Sequence, residues 1–168
     1  LMLNSTICLY DGSPFYPNSD ILWTYAEEEK FNFFGTSAKY IDALSKFKNN
    51  ISEKFELENL ETIGSTGSPL VHESFDYVYN NIKKDIHLAS LSGGTDIVGC
   101  FVGGNPISPV YRGEIQGPIL GMDVHVFDDD GNSITNKQGE LVCIKSFPTM
   151  PIESVSYTHL TLPTNGLV

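Results

Sequence analysis

The chain has 168 residues, 40% of them hydrophobic and 11% aromatic, which is enough for one folded domain with a core and too apolar for a disordered segment. With 21 acidic against 10 basic residues, its net charge of −11 argues against nucleic acid or an anionic membrane surface as partner, since both are held by Lys and Arg. Cys8, Cys100 and Cys143 are far apart and form no CxxC pair, so they suggest neither a zinc site nor a disulfide framework; as free thiols in apolar runs they fit a reducing compartment such as the cytosol.

Residues 4–10 (NSTICLY) predict a buried strand closed by the Asp11-Gly12-Ser13-Pro14 turn. The first residues lack the basic start and cleavage site of a signal peptide, and they look like the interior of a longer protein. No run nears the roughly 20 apolar residues of a membrane span. Residues 20–30 predict a helix with Ser19 as N-cap and Ile21, Leu22, Tyr25 and Ala26 on one face. Residues 31–34 predict an aromatic strand ending at Gly35. Ser37 then caps a second helix to about Asn49, with Tyr40, Ile41, Leu44 and Phe47 at helical spacing. Residues 60–63 predict a strand, 71–81 a third helix, and 85–91 another strand.

This alternation over about residues 1–100 predicts an α/β fold, a mostly parallel sheet with covering helices. After Gly104 helical periodicity stops. Residues 114–119, 122–127 and 140–144 predict an antiparallel β segment over about 105–148, with Asp128-Asp129-Asp130-Gly131-Asn132 as a turn joining the last two. That acidic run lacks the alternating acids and distal Glu of a calcium loop. His72, His87 and His125 share no metal-ligand spacing, and neither a Walker loop nor a nucleophile elbow occurs.

Two polar, glycine-bearing corners follow strands, where open α/β sheets bind ligands. The first is Gly64-Ser65-Thr66-Gly67-Ser68-Pro69, in which two glycines permit close backbone approach and Pro69 can open the next helix. On composition alone it is also an ordinary strand-to-helix turn. The second, Ser90-Leu91-Ser92-Gly93-Gly94-Thr95-Asp96, offers a hydroxyl and a carboxylate beyond two glycines, a set suited to phosphate and metal. Arg112 and Glu114, in the run Pro109-Val110-Tyr111-Arg112-Gly113-Glu114-Ile115-Gln116, read as a surface pair of little energetic value.

Taken with Gly139-Glu140-Leu141-Val142 downstream, these motifs resemble the adenylate-forming acyl-CoA synthetases. The wording of 101–116 is similar to the branch of that family that ligates acetoacetate. The resemblance covers residues 1 to about 152 and implies that residues 1–154 are part of a large N-terminal adenylation domain. It implies ATP, Mg²⁺ and coenzyme A as cofactor and co-substrates, and an acyl-adenylate as intermediate. By the same resemblance Gly67, Ser68 and Pro69 pack on adenine and ribose. Ser92, Gly93, Gly94 and Thr95 line the nucleotide, Thr95 touches the α-phosphate, and Asp96 holds Mg²⁺ directly or through water. Thr95 and Asp96 are thus the catalytic candidates.

Thr66 and Gly93 stand at acyl-pocket positions; Phe31, Phe33 and Phe34 are expected to fill the core, with Phe34 or Gly35 as candidates to approach the acyl end. Where acetate-using relatives carry a bulky Trp, Gly93 implies room for a four-carbon 3-oxo acid. Ser68 and Ser92 depart from the family's usual Glu and aromatic, and Asp96 from its Glu. The family's upstream phosphate loop, its ribose-binding Asp, its hinge and its C-terminal domain with the adenylation Lys have no counterpart in the 168 residues, so no adenylation is expected of the chain by itself. An acetyl- or propionyl-type synthetase and a non-catalytic nucleotide-binding α/β domain remain alternatives. Residues 155–168 resemble a translated sequencing-library adapter and are expected to be a non-native tail; the alternative is a genuine C-terminal strand.

Overall fold

A computed structural model describes residues 4–152; the expected tail at 155–168 lies outside them. The first half is the predicted α/β layer. Strands β1 (Phe33–Ser37), β2 (Thr62–Thr66) and β3 (His87–Ser90) pair in parallel in the order β1-β2-β3. Helices α1 (Ile21–Glu28), α2 (Ala38–Lys46) and α3 (His72–Tyr77) alternate with them, and α3 continues as a π-helical turn over Val78–Ile82.

Register decides which face each residue serves. Phe34, Ile63 and Leu88 are paired across the three strands, and all three are buried in the core. There they meet Trp23 of α1, Ile41 and Leu44 of α2, and Phe75 and Val78 beyond β2. Trp23 stacks on Phe34 with ring centroids 4.8 Å apart. The adjacent residues Phe33, Gly35, Gly64, His87 and Ala89 fall on the opposite face, because strand side chains alternate.

Several local expectations shift for identifiable reasons. Residues 4–10 form no strand and no neighbouring strand pairs with them among the described residues; Ile7 and Leu9 are 61% and 83% exposed. In α1 the buried residues are Trp23 and Ala26, and the N-cap is Asp20, not Ser19, whose hydroxyl instead accepts a hydrogen bond from Asn49 Nδ2. Ser37 caps α2 as predicted, accepting from Tyr40 N at 3.2 Å. Phe47 lies past the end of α2 and is exposed. The three cysteines are half-buried, not enclosed.

The second half is antiparallel, in two small sheets. One contains β4 (Ser92–Gly94), β5 (Gly99–Gly103) and β6 (Gly117–Pro118) in that order. In the other, β7 (Val124–Phe127) lies between β8 (Ser133–Ile134) and β9 (Glu140–Cys143). The acidic turn therefore leads from β7 into β8, and β9 pairs with the other edge of β7. Asp128 builds that turn: its Oδ1 accepts from the backbone N–H of Asp130 and Asn132, and Gly131 takes φ +80°.

Candidate functional site

Because β2 and β3 are parallel neighbours, both glycine corners leave the same, carboxyl end of the sheet. The pairing extends one residue past β3, with Leu91 N–H donating to Ser65 O at 2.8 Å. Gly64, Ser65 and Thr66 belong to β2 itself, so the first corner narrows to Gly67-Ser68-Pro69. Gly67 adopts φ +85°, a conformation that favours glycine, and an added Cβ there would meet nothing within 4 Å. Thr66, Gly67 and Pro69 are exposed and Ser68 is half-buried. The corner presents open backbone immediately before α3.

The second corner differs from the predicted turn. Ser92, Gly93 and Gly94 form a strand, paired with β5 through a bulge between Ser92 and Gly93. The turn lies at Thr95–Val98, closed by Val98 N–H to Thr95 O at 3.1 Å. Thr95 and Asp96 therefore stand exposed at the tip of a hairpin. Gly94 also has open space around an added Cβ.

Gly93 has a local reason to be glycine. A Cβ there would overlap the Gly99 carbonyl oxygen and lie 2.5 Å from Cys100 Cα, in the backbone of β5. The hairpin itself excludes a side chain at this position, so room for an acyl group is not needed to explain it. Phe34 is buried in the core, whereas Gly35 is exposed on the opposite face.

Among the described residues no three His, Cys, Asp or Glu side chains converge as a metal cluster. A lone carboxylate such as Asp96 suits Mg²⁺, which keeps several waters and takes substrate phosphates as ligands. Among the described residues three buried side-chain polar atoms lack a hydrogen-bond partner: Trp23 Nε1, Tyr40 OH and Ser65 Oγ. Ser65 is fully enclosed on the core face of β2, in register with Ser90 and Thr36, so it does not enter the exposed corner.

A concavity of about 430 Å³ lies elsewhere, lined by Ala26, Lys30, Phe31, Lys54, Leu57 and Leu60 among others. Phe31 and Leu60 precede β1 and β2, so it opens at the amino ends of the strands, opposite both corners.

Sequence reasoning also missed two contacts that leave no pattern in the chain. Arg112 pairs with Asp76 of α3 and not with Glu114. Its Nε and Nη2 donate to the two carboxylate oxygens at 2.8 and 2.7 Å. The Arg112 hydrogen bond outweighs desolvation and, with the Arg112 charge, holds the Asp76 carboxyl below its ordinary value. Gln116 bonds to His87 of β3 at 2.8 Å and to the loop from Asn105 to Pro109.

No protein-family model matches the chain. Over 152 residues it is 54% identical to the acetoacetyl-coenzyme A synthetase of Rhizobium meliloti (strain 1021), covering 90% of this chain and 23% of that protein. It is 42% identical over 166 residues to the acetoacetyl-CoA synthetase of Gallus gallus, covering 99% of this chain and 24% of the relative. The chain therefore spans about a quarter of the length of the curated relatives it matches.

Among solved structures, acetoacetyl-CoA synthetase from Streptomyces lividans superposes with a TM-score of 0.78 at 39% identity, over 84% of this chain and 22% of that one. The anthranilate CoA ligase AuaEII in complex with anthranoyl-AMP matches at TM-score 0.64 and 18% identity, over 79% of this chain and 25% of its own, a likeness of fold. The mixed α/β architecture is thus that of a segment of the adenylate-forming synthetases, similar in sequence to acetoacetyl-CoA synthetases.

Proposed function

We propose that the protein carrying these residues joins acetoacetate to coenzyme A through an acetoacetyl-adenylate, and that residues 1–154 are the part of its large N-terminal domain that forms one wall of the adenylation site. The reading is carried by the 54% identity to a bacterial acetoacetyl-CoA synthetase, which spans 152 residues and hence most of the chain. The two corners at neighbouring tips of a parallel sheet give it a physical basis.

In this reading Gly67, Ser68 and Pro69 lie along adenine and ribose, where Gly67 leaves the backbone bare for close approach. The strand Ser92, Gly93 and Gly94 runs beside the nucleotide, and the Thr95 hydroxyl donates to the α-phosphate. Asp96 would hold Mg²⁺ directly or through water; bound there, the ion would neutralise phosphate charge, which matters in a chain of net charge −11. Thr66, at the end of β2, borders the acyl group with Gly93. The acetoacetate carboxylate attacks the α-phosphate and pyrophosphate leaves; coenzyme A thiolate then attacks the acyl carbon and AMP leaves. In the first step the chain positions groups and opposes developing charge. The substrates are small molecules, and a cytoplasmic location accords with the reading; no helix among the described residues is long and apolar enough to cross a membrane.

The test is acetoacetate-dependent exchange of pyrophosphate into ATP by the intact protein. Thr95→Ala is expected to lower it about a hundredfold, the scale for losing one donor to transition-state charge. Equal or faster exchange with acetate would move the assignment to an acetyl-type synthetase. Nucleotide binding without exchange would leave a non-catalytic domain. The 168-residue chain alone is expected to give no exchange above background.

A further inference from the structure

The segment from Gly104 to Gln116 touches β3 and α3, the elements that lead to and from the two corners of the candidate site, without belonging to either corner. At its start it crosses the face of β3 at contact distance. A Cβ on Gly104 would lie 2.5 Å from Ala89 Cβ and 2.8 Å from His87 Cε1. At its end Gln116 is a hydrogen-bond hub. Its Oε1 accepts from Asn105 N–H at 2.9 Å and meets His87 Nε2 at 2.8 Å. Its Nε2 donates to the carbonyls of Asn105 and Ser108, both at 2.8 Å, and of Pro109 at 3.3 Å.

Those carbonyls fix which end of the amide is oxygen, and so which nitrogen of His87 carries the proton. Nε2–H donates to Gln116, and Nδ1 faces the Thr62 hydroxyl at 3.4 Å. One half-buried side chain thereby closes the loop on itself and ties it to β3.

The middle of the same segment docks on α3. Arg112 grips Asp76 with two parallel bonds, Val110 packs on the core, and Gly113 at φ +81° lies so close to His72 that a Cβ would overlap the imidazole. Helix α3 follows Gly67-Ser68-Pro69 directly, and β3 runs straight into Ser92–Asp96.

We propose that residues 104–116 are a positioning strap, with Gln116 and Arg112 as its fastenings, that fixes the spacing between the Gly67–Pro69 corner and the Thr95–Asp96 hairpin. Resting on the nucleotide-site reading above, the proposal adds two positioning residues that touch no substrate. A bound nucleotide would span both corners, so a change in their spacing weakens ATP binding and adenylation. It leaves the second half-reaction, transfer from a supplied adenylate to coenzyme A, much less affected. General loss of stability would depress both halves alike.

The experiment uses the intact enzyme that carries this segment, with Gln116→Glu, Arg112→Gln and Thr95→Ala. The readouts are the ATP KM and kcat of acetoacetate-dependent pyrophosphate exchange, the rate of thioester formation from supplied acetoacetyl-adenylate, and the melting temperature. Gln116→Glu keeps the shape and loses both N–H donors. It is expected to raise the ATP KM about tenfold or more, the scale for sub-ångström misplacement, with thioester formation nearly unchanged. Arg112→Gln removes an exposed pair, so folding is spared, and should shift the ATP KM in the same direction by less.

If Thr95→Ala abolishes exchange while Gln116→Glu and Arg112→Gln leave the ATP KM unmoved, the strap is wrong and the nucleotide site stands. If Thr95→Ala has no effect, the nucleotide site is wrong and the strap falls with it. If Gln116→Glu slows both half-reactions equally, the residue is structural only. Should it fail to fold, the ATP KM of Arg112→Gln decides alone.

Discussion

Among the described residues, every fully buried apolar side chain lies between Trp23 and Ala89, whereas from Leu91 to Ile152 none is fully enclosed. The first region closes a core from its own helices and strands: α1 and α2 cover one face of the parallel layer, and Phe34, Ile63 and Leu88 fill that face in register. The second region consists of ribbons two to five residues long, with Val98, Ile107 and Leu120 each more than three-quarters exposed. One candidate corner, Gly67-Ser68-Pro69, is thus anchored in a packed layer. The other, Thr95–Asp96, sits on a hairpin held by backbone pairing and by the loop that docks on β3 and α3. The two halves of the site are stiff to different degrees.

The strongest way to break that comparison is to truncate matched residues in each region. Ile63→Ala, at a fully buried position, is expected to cost about 2–5 kcal/mol, the transfer term plus the cavity left behind. Val126→Ala on the half-buried β7 should cost about 1 kcal/mol, because much of its surface is already near water. Urea unfolding with both substitutions measures the difference. Equal losses would mean that the two halves share one cooperative core, and the contrast in stiffness would fail.

A smaller effect sharpens the description of the hairpin. Val98 holds φ +49° in the Thr95–Val98 turn, a left-handed conformation that β-branched residues rarely adopt, and its side chain is 78% exposed. Glycine removes the strain and forfeits little burial. Val98→Gly should therefore stabilise the hairpin by about 0.5–1 kcal/mol after the entropy that glycine adds to the unfolded chain. Slower amide exchange at Gly99–Gly103 is the readout; faster exchange would mean that Val98 has a packing role that outweighs its backbone strain.

The same contrast explains what the sequence reveals. Local chemistry announced the first region: Ser37 followed by Tyr40, Ile41 and Leu44 is legible as a capped amphipathic helix, and the structure places each there. Trp23 escaped the predicted α1 face because the apolar residues of that helix spread over more than half of its circumference, and packing against Phe34 and Tyr40 selects which part is inside. In the second region the deciding forces are tertiary. Ser92-Gly93-Gly94 reads as a turn, since glycine disfavours strands, and becomes β4 only because Gly99–Gly103 lies beside it. The predicted strand at 114–119 shrinks to Gly117–Pro118, with Gln116 taken by its hydrogen bonds to His87 and the 105–109 loop. No spacing rule marks such a residue. The two corners were legible as compositions, whereas their adjacency required the parallel pairing of β2 with β3.

The least effect expected is an acid limb, and it separates the regions by their ion pairs. Burial pushes the Asp20 carboxyl up, but hydrogen bonds from Lys54, Asn49 and Ser19 and the charge of Lys54 outweigh it and hold it below its ordinary value. In the second region hydrogen bonds from Lys145 and His125 hold Asp123 down as well. A carboxyl depressed in the folded state contributes stability above its unfolded pKa of about 3.9, and that contribution is lost as pH falls through the folded value. Stability should be flat in these groups near neutrality and decline below about pH 4. Asp20→Asn should flatten the part of that decline seen by probes in α1 and α2, because Asp20 stands at the start of α1 and its carboxylate binds Asn49 beyond α2. Asp123→Asn should flatten only the part seen by probes in β7 and β9. Acid titration followed by hydrogen exchange resolves the two. A single decline shared by all probes, altered equally by either substitution, would show that the regions unfold as one unit despite their unequal burial.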